Sequence, residues 1–141
     1  MPAVFEFSHT VTVDEIDGQG IAGNVVYVRW MQDAAVAHST AQGWPPERYL
    51  EGQAGWVVRT HEIEYLQPAI EGDRVVVVTW VADFRKLTSL RRYRIVRPAD
   101  ETLLATAATN WVYIGMDRRM PRRIPPELRD AFEIVDEPAE S

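Results

Sequence analysis

The stretch DEIDGQGIAGNVVYVRW, residues 14–30, changes character twice. Carboxylates come first, at Asp14, Glu15 and Asp17. Glycines follow at positions 18, 20 and 23, and from Asn24 the chain turns to large apolar side chains. Upstream, FEFSHTVTV (5–13) alternates and is rich in aromatic and β-branched residues, so it reads as a strand. Downstream, Val26, Trp30, Ala34, Ala37 and Ala41 recur every three or four residues. That period predicts a helix over Asn24–Gln42, with Asn24 as its N-cap and Gly43 as its stop. Arg29, Gln32, Asp33 and His38 fall off the stripe. Residues 14–30 are therefore a strand-to-helix passage bent through glycine.

WPPERYLE (44–51) reads as a linker with one helical turn. Four extended segments follow, at about 55–66, 73–83, 88–97 and 102–115. DRVVVVTWVA is apolar on both faces, which predicts a central strand covered on both sides. PAIEGD (68–73) and RPADET (97–102) are turns by composition. The last stretch, MPRRIPPELRDAFEIVDEPAES from Met120 on, is Pro-rich and charged, with one short helix expected at 126–133. One strand, one long helix and four more strands define an α+β domain with an antiparallel sheet. A single helix covers only one face of five strands, so a second subunit is expected, a homodimer at least.

The length, 141 residues with 46% hydrophobic side chains, suits one domain over 1–141, with a partly irregular tail over about 116–141. No apolar run is long enough for a membrane span, and the N-terminus lacks a secretory pattern. With no cysteine, disulfides and thiolate chemistry are excluded, and a cytoplasmic location is expected. The net charge of −6 argues against nucleic acid as a partner. Eleven of the fifteen basic residues nevertheless lie between Arg85 and Arg129, six of them in FRKLTSLRRYRIVR (84–97). A local basic stretch on an acidic chain suits a discrete phosphorylated ligand, or simply a solvated strand face. RRMPRR (118–123) reads as part of the tail. His9, His38 and His61 lack metal-ligand spacing, so no metal is expected. Trp56 and Trp80 read as core residues.

The passage at 14–30 also carries chemistry. The first N–H groups of a helix have no internal partner, and the helix dipole adds positive character there. Gly23 would let a carbonyl approach this pole closely. A carboxylate at Asp17 would stand beside it as nucleophile or general base. These are the parts needed for acyl transfer from a thioester. An Asp that merely caps a glycine turn has the same local sequence, and the residues alone leave both readings open.

The pattern resembles the signature of the hot-dog-fold acyl-CoA thioesterases, in particular the 4-hydroxybenzoyl-CoA thioesterase-like family: acid-x-Asp-x-x-Gly-His-Val-x-Asn-x-x-Tyr-Leu-Arg-Trp. Glu15, Asp17, Gly20, Asn24, Tyr27, Arg29 and Trp30 fall on it without a gap. VVRTHEIEYLQPAIEGD resembles the family's second strand and turn, with Tyr65, Pro68, Ala69, Gly72 and Asp73 in place, and RKLTSLRRYRI its next strands, with Ser89 in place. The resemblance covers about residues 5–115. It implies a hot-dog fold, five antiparallel strands wrapped around one long helix, assembled as homodimers that often pair into homotetramers. It implies hydrolysis of an acyl-CoA to a free acid and coenzyme A, with Asp17 as the catalytic carboxylate and the N–H groups of Gly23 and Asn24 as the oxyanion site. It further implies substrate contacts at Tyr27 and His61, coenzyme A contacts at Arg85, Lys86 and Ser89, and no cofactor. Two departures stand out. Ile21 occupies the position of a common His, and Gly23 replaces a larger residue. A non-catalytic hot-dog protein binding acyl-CoA or acyl carrier protein, and a hot-dog dehydratase or hydratase, are the competing expectations.

Overall fold

The structure is a computed structural model, and it describes residues 3–136. The first strand, β1 (Val4–Thr10), stops three residues before the expected end, because Val13–Glu15 wind into a single 3-10 turn capped by Thr12. Helix α1 spans Asn24–Ala41 and α2 spans Pro46–Glu51. Strands β2 (Ala54–Tyr65), β3 (Arg74–Phe84), β4 (Thr88–Arg97) and β5 (Thr102–Gly115) then follow. A two-residue β6 (Met120–Pro121) and α3 (Pro126–Asp130) complete the described chain. The strands form one sheet in the order β1-β3-β4-β5-β2, every pairing antiparallel, with β6 on β5. The fold is α+β, a curled sheet around one long helix, as expected of a hot-dog domain.

β3 lies inside the sheet, between β1 and β4, and its Val75, Val76 and Val77 are all buried. The apolar run of the sequence is thus an interior strand. The α1 stripe is phased differently from its sequence reading. The buried face consists of Tyr27, Trp30, Met31, Ala34, Ala35 and His38, while Val26, Ala37 and Ala41 are only half-buried. His38, expected off the stripe, is 1% exposed. The cause lies across the core: His38 meets Arg91 of β4, so one polar position is satisfied inside and the apolar face does not reveal it.

The helix ends also differ in detail. Gly23 is the N-cap and Asn24 the first helical residue. At the other end the C-cap is Gln42, and Gly43 follows at φ +92°, the left-handed position that favours glycine. The core divides into two clusters. One gathers Tyr27, Trp30, Met31 and Ala34 against Val75, Val77, Tyr93, Ile95 and Leu104. The other, around Trp44, Val81, Tyr113, Leu128 and Phe132, closes the opposite end beneath α2 and α3. RRMPRR is not a loose tail. Met120–Pro121 pair with Ile114 and Gly115, and Ile124 N–H donates to the Lys86 carbonyl at 2.9 Å.

Candidate active site

The glycine passage forms a closed loop. Ile16 and Ala22 make a single antiparallel bridge, and Asp17 N–H donates to the Ile21 carbonyl at 2.8 Å. Gly20 turns the loop at φ +83°. Gln19 N–H donates to Asp17 Oδ1 at 2.8 Å, which leaves Oδ2 with no described partner. Asp17 is exposed in the single chain, and its Cβ stands 4.0 Å from where a Cβ on Gly23 would begin. The carboxylate and the start of α1 are therefore neighbours.

The loop is anchored by the residue two before Asp17. Glu15 is buried, and its side chain accepts from the Thr12 N–H at 2.9 Å and the Trp30 indole N–H at 3.0 Å, with His9 Nε2 at 2.9 Å. The strand, the turn and the helix thus meet on one carboxylate. Its carbonyl also accepts the Gly23 N–H at 3.1 Å. That bond removes Gly23 from the pair of N–H groups expected to face a carbonyl. Gly23 O in turn accepts from Val26, and the N–H groups of Asn24 and Val25 have no acceptor among the described residues. The unfilled donors of the helix start are one residue later than the sequence indicated.

The other expected site residues separate into three groups. Tyr27 is 2% exposed and packs in the core against the Trp30 and Tyr65 rings. Tyr65 instead reaches the helix start, where its hydroxyl donates to the Asn24 carbonyl at 2.9 Å. His61 sits midway along β2, half-buried, with Nδ1 2.8 Å from Thr109 Oγ1, and burial pushes its pKa down. Arg85 and Lys86 are exposed on the turn between β3 and β4. Ser89 is buried and spends its hydroxyl on the Asp83 carbonyl at 2.8 Å, where β3 carries a bulge, which explains the residue without a ligand.

The 85–89 turn and Asp17 lie at opposite ends of the sheet. Val11 N–H donates to Asp73 O and Ala22 N–H to Ala69 O, which fixes the Asp17 loop at the Arg74 end of β3. The cationic turn is at the Phe84 end, about 33 Å away at ~3.3 Å per residue. Between α1, α2 and that far end opens a cavity of about 470 Å³, lined by Trp44, Tyr49, Trp56, Trp111 and Phe132 among others. Trp56, read from the sequence as core, lines this cavity and donates its indole N–H to Tyr49 Oη at 3.1 Å. Trp80 is buried at 2%. Among the described residues no group of three His, Asp or Glu converges as a metal site, and no helix is long and apolar enough to cross a membrane.

Comparison with known proteins agrees with this fold. The family model for the acyl-ACP thioesterase N-terminal domain matches residues 2–132, and the chain belongs to that family of hot-dog thioesterases. An acyl-CoA thioesterase, YbgC of Haemophilus influenzae, is 24% identical over 129 residues, spanning 91% of this chain and 93% of the relative. A 1,4-dihydroxy-2-naphthoyl-CoA thioesterase from Synechocystis has the same fold, with a TM-score of 0.86 at 20% identity, covering 96% of this chain and 99% of that one. A Staphylococcus aureus protein solved in complex with CoA matches with a TM-score of 0.86 at 16% identity, covering 96% and 89% of the two chains.

Glu15 gives the site a pH dependence. Burial raises its pKa, but the bonds from His9, Thr12 and Trp30 outweigh this and hold it at about 2, against an ordinary 4.5. The folded protein therefore keeps Glu15 ionised where the unfolded chain protonates it. That contribution to stability is present above pH 4.5 and is lost as pH falls towards 2. Urea unfolding of the wild type should weaken steeply across that window. Glu15→Gln should be less stable at pH 7 and show a shallower slope between pH 4.5 and 2.

Proposed function

We propose that this chain hydrolyses acyl-CoA thioesters to a carboxylic acid and coenzyme A, with Asp17 as the reactive carboxylate. The observation that carries the reading is the placement of Asp17 beside a helix start with two unfilled N–H donors. A thioester carbonyl seated there would accept from Asn24 N–H, in the positive field of α1, as charge develops on its oxygen. Asp17 attacks the carbonyl carbon directly or takes a proton from the water that does. Either way the C–S bond breaks, the thiolate leaves, and one water is consumed per acid released. Ile21 stands where a His would assist, so the proton work falls to Asp17.

The ends of the sheet are reconciled by a dimer. β2 is the last strand in the order, and its outer edge has no partner among the described residues. Two such edges related by a two-fold axis run antiparallel, which lays the start of one β2 against the end of the other. The Asp17 loop of one protomer then meets the 85–89 turn of the second. Arg85 and Lys86 are placed to take coenzyme A phosphates only in that arrangement, because in one chain they are too far from Asp17.

Asp17→Asn should lower kcat by about 10²-fold or more with the fold unchanged, the scale of one general base, in a thiol-release assay on a panel of acyl-CoAs. Near-normal turnover by a folded variant would end the assignment, and tight binding without turnover in the wild type would favour a binding protein. Arg85→Ala with Lys86→Ala should raise KM for acyl-CoA and leave a pantetheine thioester nearly indifferent. Sedimentation should give at least twice the 16.1 kDa of the chain at micromolar concentration. An active monomer would contradict the shared site.

A further inference from the structure

The second cluster of functional interest lies at the wall of the 470 Å³ cavity, and nothing in the hydrolytic reading uses it. Arg91 of β4 is 6% exposed. Its Nη1 donates to His38 Nδ1 at 3.0 Å and to Thr79 Oγ1 at 3.0 Å. Arginine has no acceptor, so His38 Nδ1 must accept, and Thr79 passes its own proton to the Arg92 carbonyl at 3.0 Å. Neither bond is to a carboxylate, and the Phe132 ring lies 5.9 Å from the guanidinium carbon. No carboxylate pairs with Arg91 among the described residues. A buried cation without a counter-charge is costly, and chains that keep one generally oppose it with an anion.

The geometry says where that anion goes. Nε and Nη2 of Arg91 have no acceptor among the described residues, and Arg91 lines the cavity. These two nitrogens form one side of the guanidinium fork, the side that matches a carboxylate in two parallel hydrogen bonds. Arg91 is a wall of the cavity, and the remaining wall is predominantly aromatic and aliphatic, including Trp44, Trp56, Trp111 and Phe132. The volume lies within the ~300–1,000 Å³ range of small-molecule sites. Neither Asp17 nor Asn24 lines it. The first α1 residue that does, Gln32, is eight positions past Asn24, about 12 Å along the helix at 1.5 Å per residue.

We propose that this cavity binds an organic carboxylate with an apolar body, its carboxylate held side-on by Arg91 and its body against the tryptophans. A neutral thioester or alcohol fills the same space but leaves the buried cation unopposed, so charge is the discriminating feature. The carboxylate comes either from a free acid or from the far end of an acyl group that carries a second acid function.

Calorimetry on the full-length wild type with octanoate and octan-1-ol tests the site without any need for turnover, so a failure of the hydrolytic reading leaves it intact. Octanoate should bind about ten-fold or more tightly than the alcohol, the scale of hydrogen bonds to a charged group. Arg91→Gln should abolish the difference. Val36→Trp, a half-exposed helix position at the cavity, should weaken both ligands while leaving Arg91 in place. Equal binding of acid and alcohol to the wild type overturns the proposal, whether or not Arg91→Gln folds. A folded Arg91→Gln that keeps the preference overturns it too. Hydrolysis of the mono-coenzyme A thioester of octanedioic acid against octanoyl-CoA then separates the sources. A preference that disappears in Arg91→Gln assigns the carboxylate to the acyl group, and no preference alongside tight octanoate binding assigns it to a free acid.

Discussion

The buried carboxylate of Glu15 is the constraint on which the candidate site depends. Three elements, β1 through His9, the turn through Thr12 and α1 through Trp30, converge on two oxygens. Each bond is modest on its own, but an unmatched carboxylate at that depth would be far more costly than any one bond is favourable. The arrangement therefore holds as a set or not at all. Asp17, two residues on, inherits its position from this set. So does Gly23, whose N–H is drawn to the Glu15 carbonyl and whose backbone then starts the helix. An exposed and flexible carboxylate would reach a helix start only occasionally, whereas this one is carried on a loop closed by the Ile16–Ala22 bridge.

The sequence carried the architecture with little loss. The strand and helix boundaries over 54–115 and 24–41 follow from alternation, from helical period and from glycine stops, because in these segments the side chains that set the period are the ones that face the core. The reading failed where a polar residue is buried by a distant partner. His38 looks like a solvent-facing histidine until β4 brings Arg91 to it from fifty-three positions away, and no local pattern signals that. Tyr27 is a related case. The motif fixes its residue type but not the direction of its ring, which the Tyr65 side chain settles by packing against it. Ser89 likewise sits at a motif position, yet its hydroxyl serves a bulge in the neighbouring strand, a feature of pairing register and not of sequence period.

Topology sets the distance between the carboxylate loop and the cationic turn. The meander β3 to β5 puts alternate turns at opposite ends, so a carboxylate before α1 and cations after β3 are separated by the length of a strand. The antiparallel sheet leaves β2 at an edge, and edge strands that are long and partly apolar are seldom left open. Val57 and Tyr65 on that strand are both exposed in the single chain.

The attachment of the C-terminal segment to the 85–87 turn has a consequence for motion. Ile124 N–H donates to Lys86 O, Arg129 Nη1 to Arg85 O at 3.0 Å, and Tyr113 N–H to Leu87 O at 2.9 Å. Within the turn itself the backbone closes through Arg85 N–H to Thr88 O. Its shape is consequently borrowed in part from β5 and in part from Ile124 and Arg129, far along the chain. In a sub-global opening the turn, Met120–Pro121 and α3 would detach as one cooperative unit, and their amide protons would exchange with a common opening free energy below that of β3 and β4. An insertion near residue 118 would be felt first at Lys86.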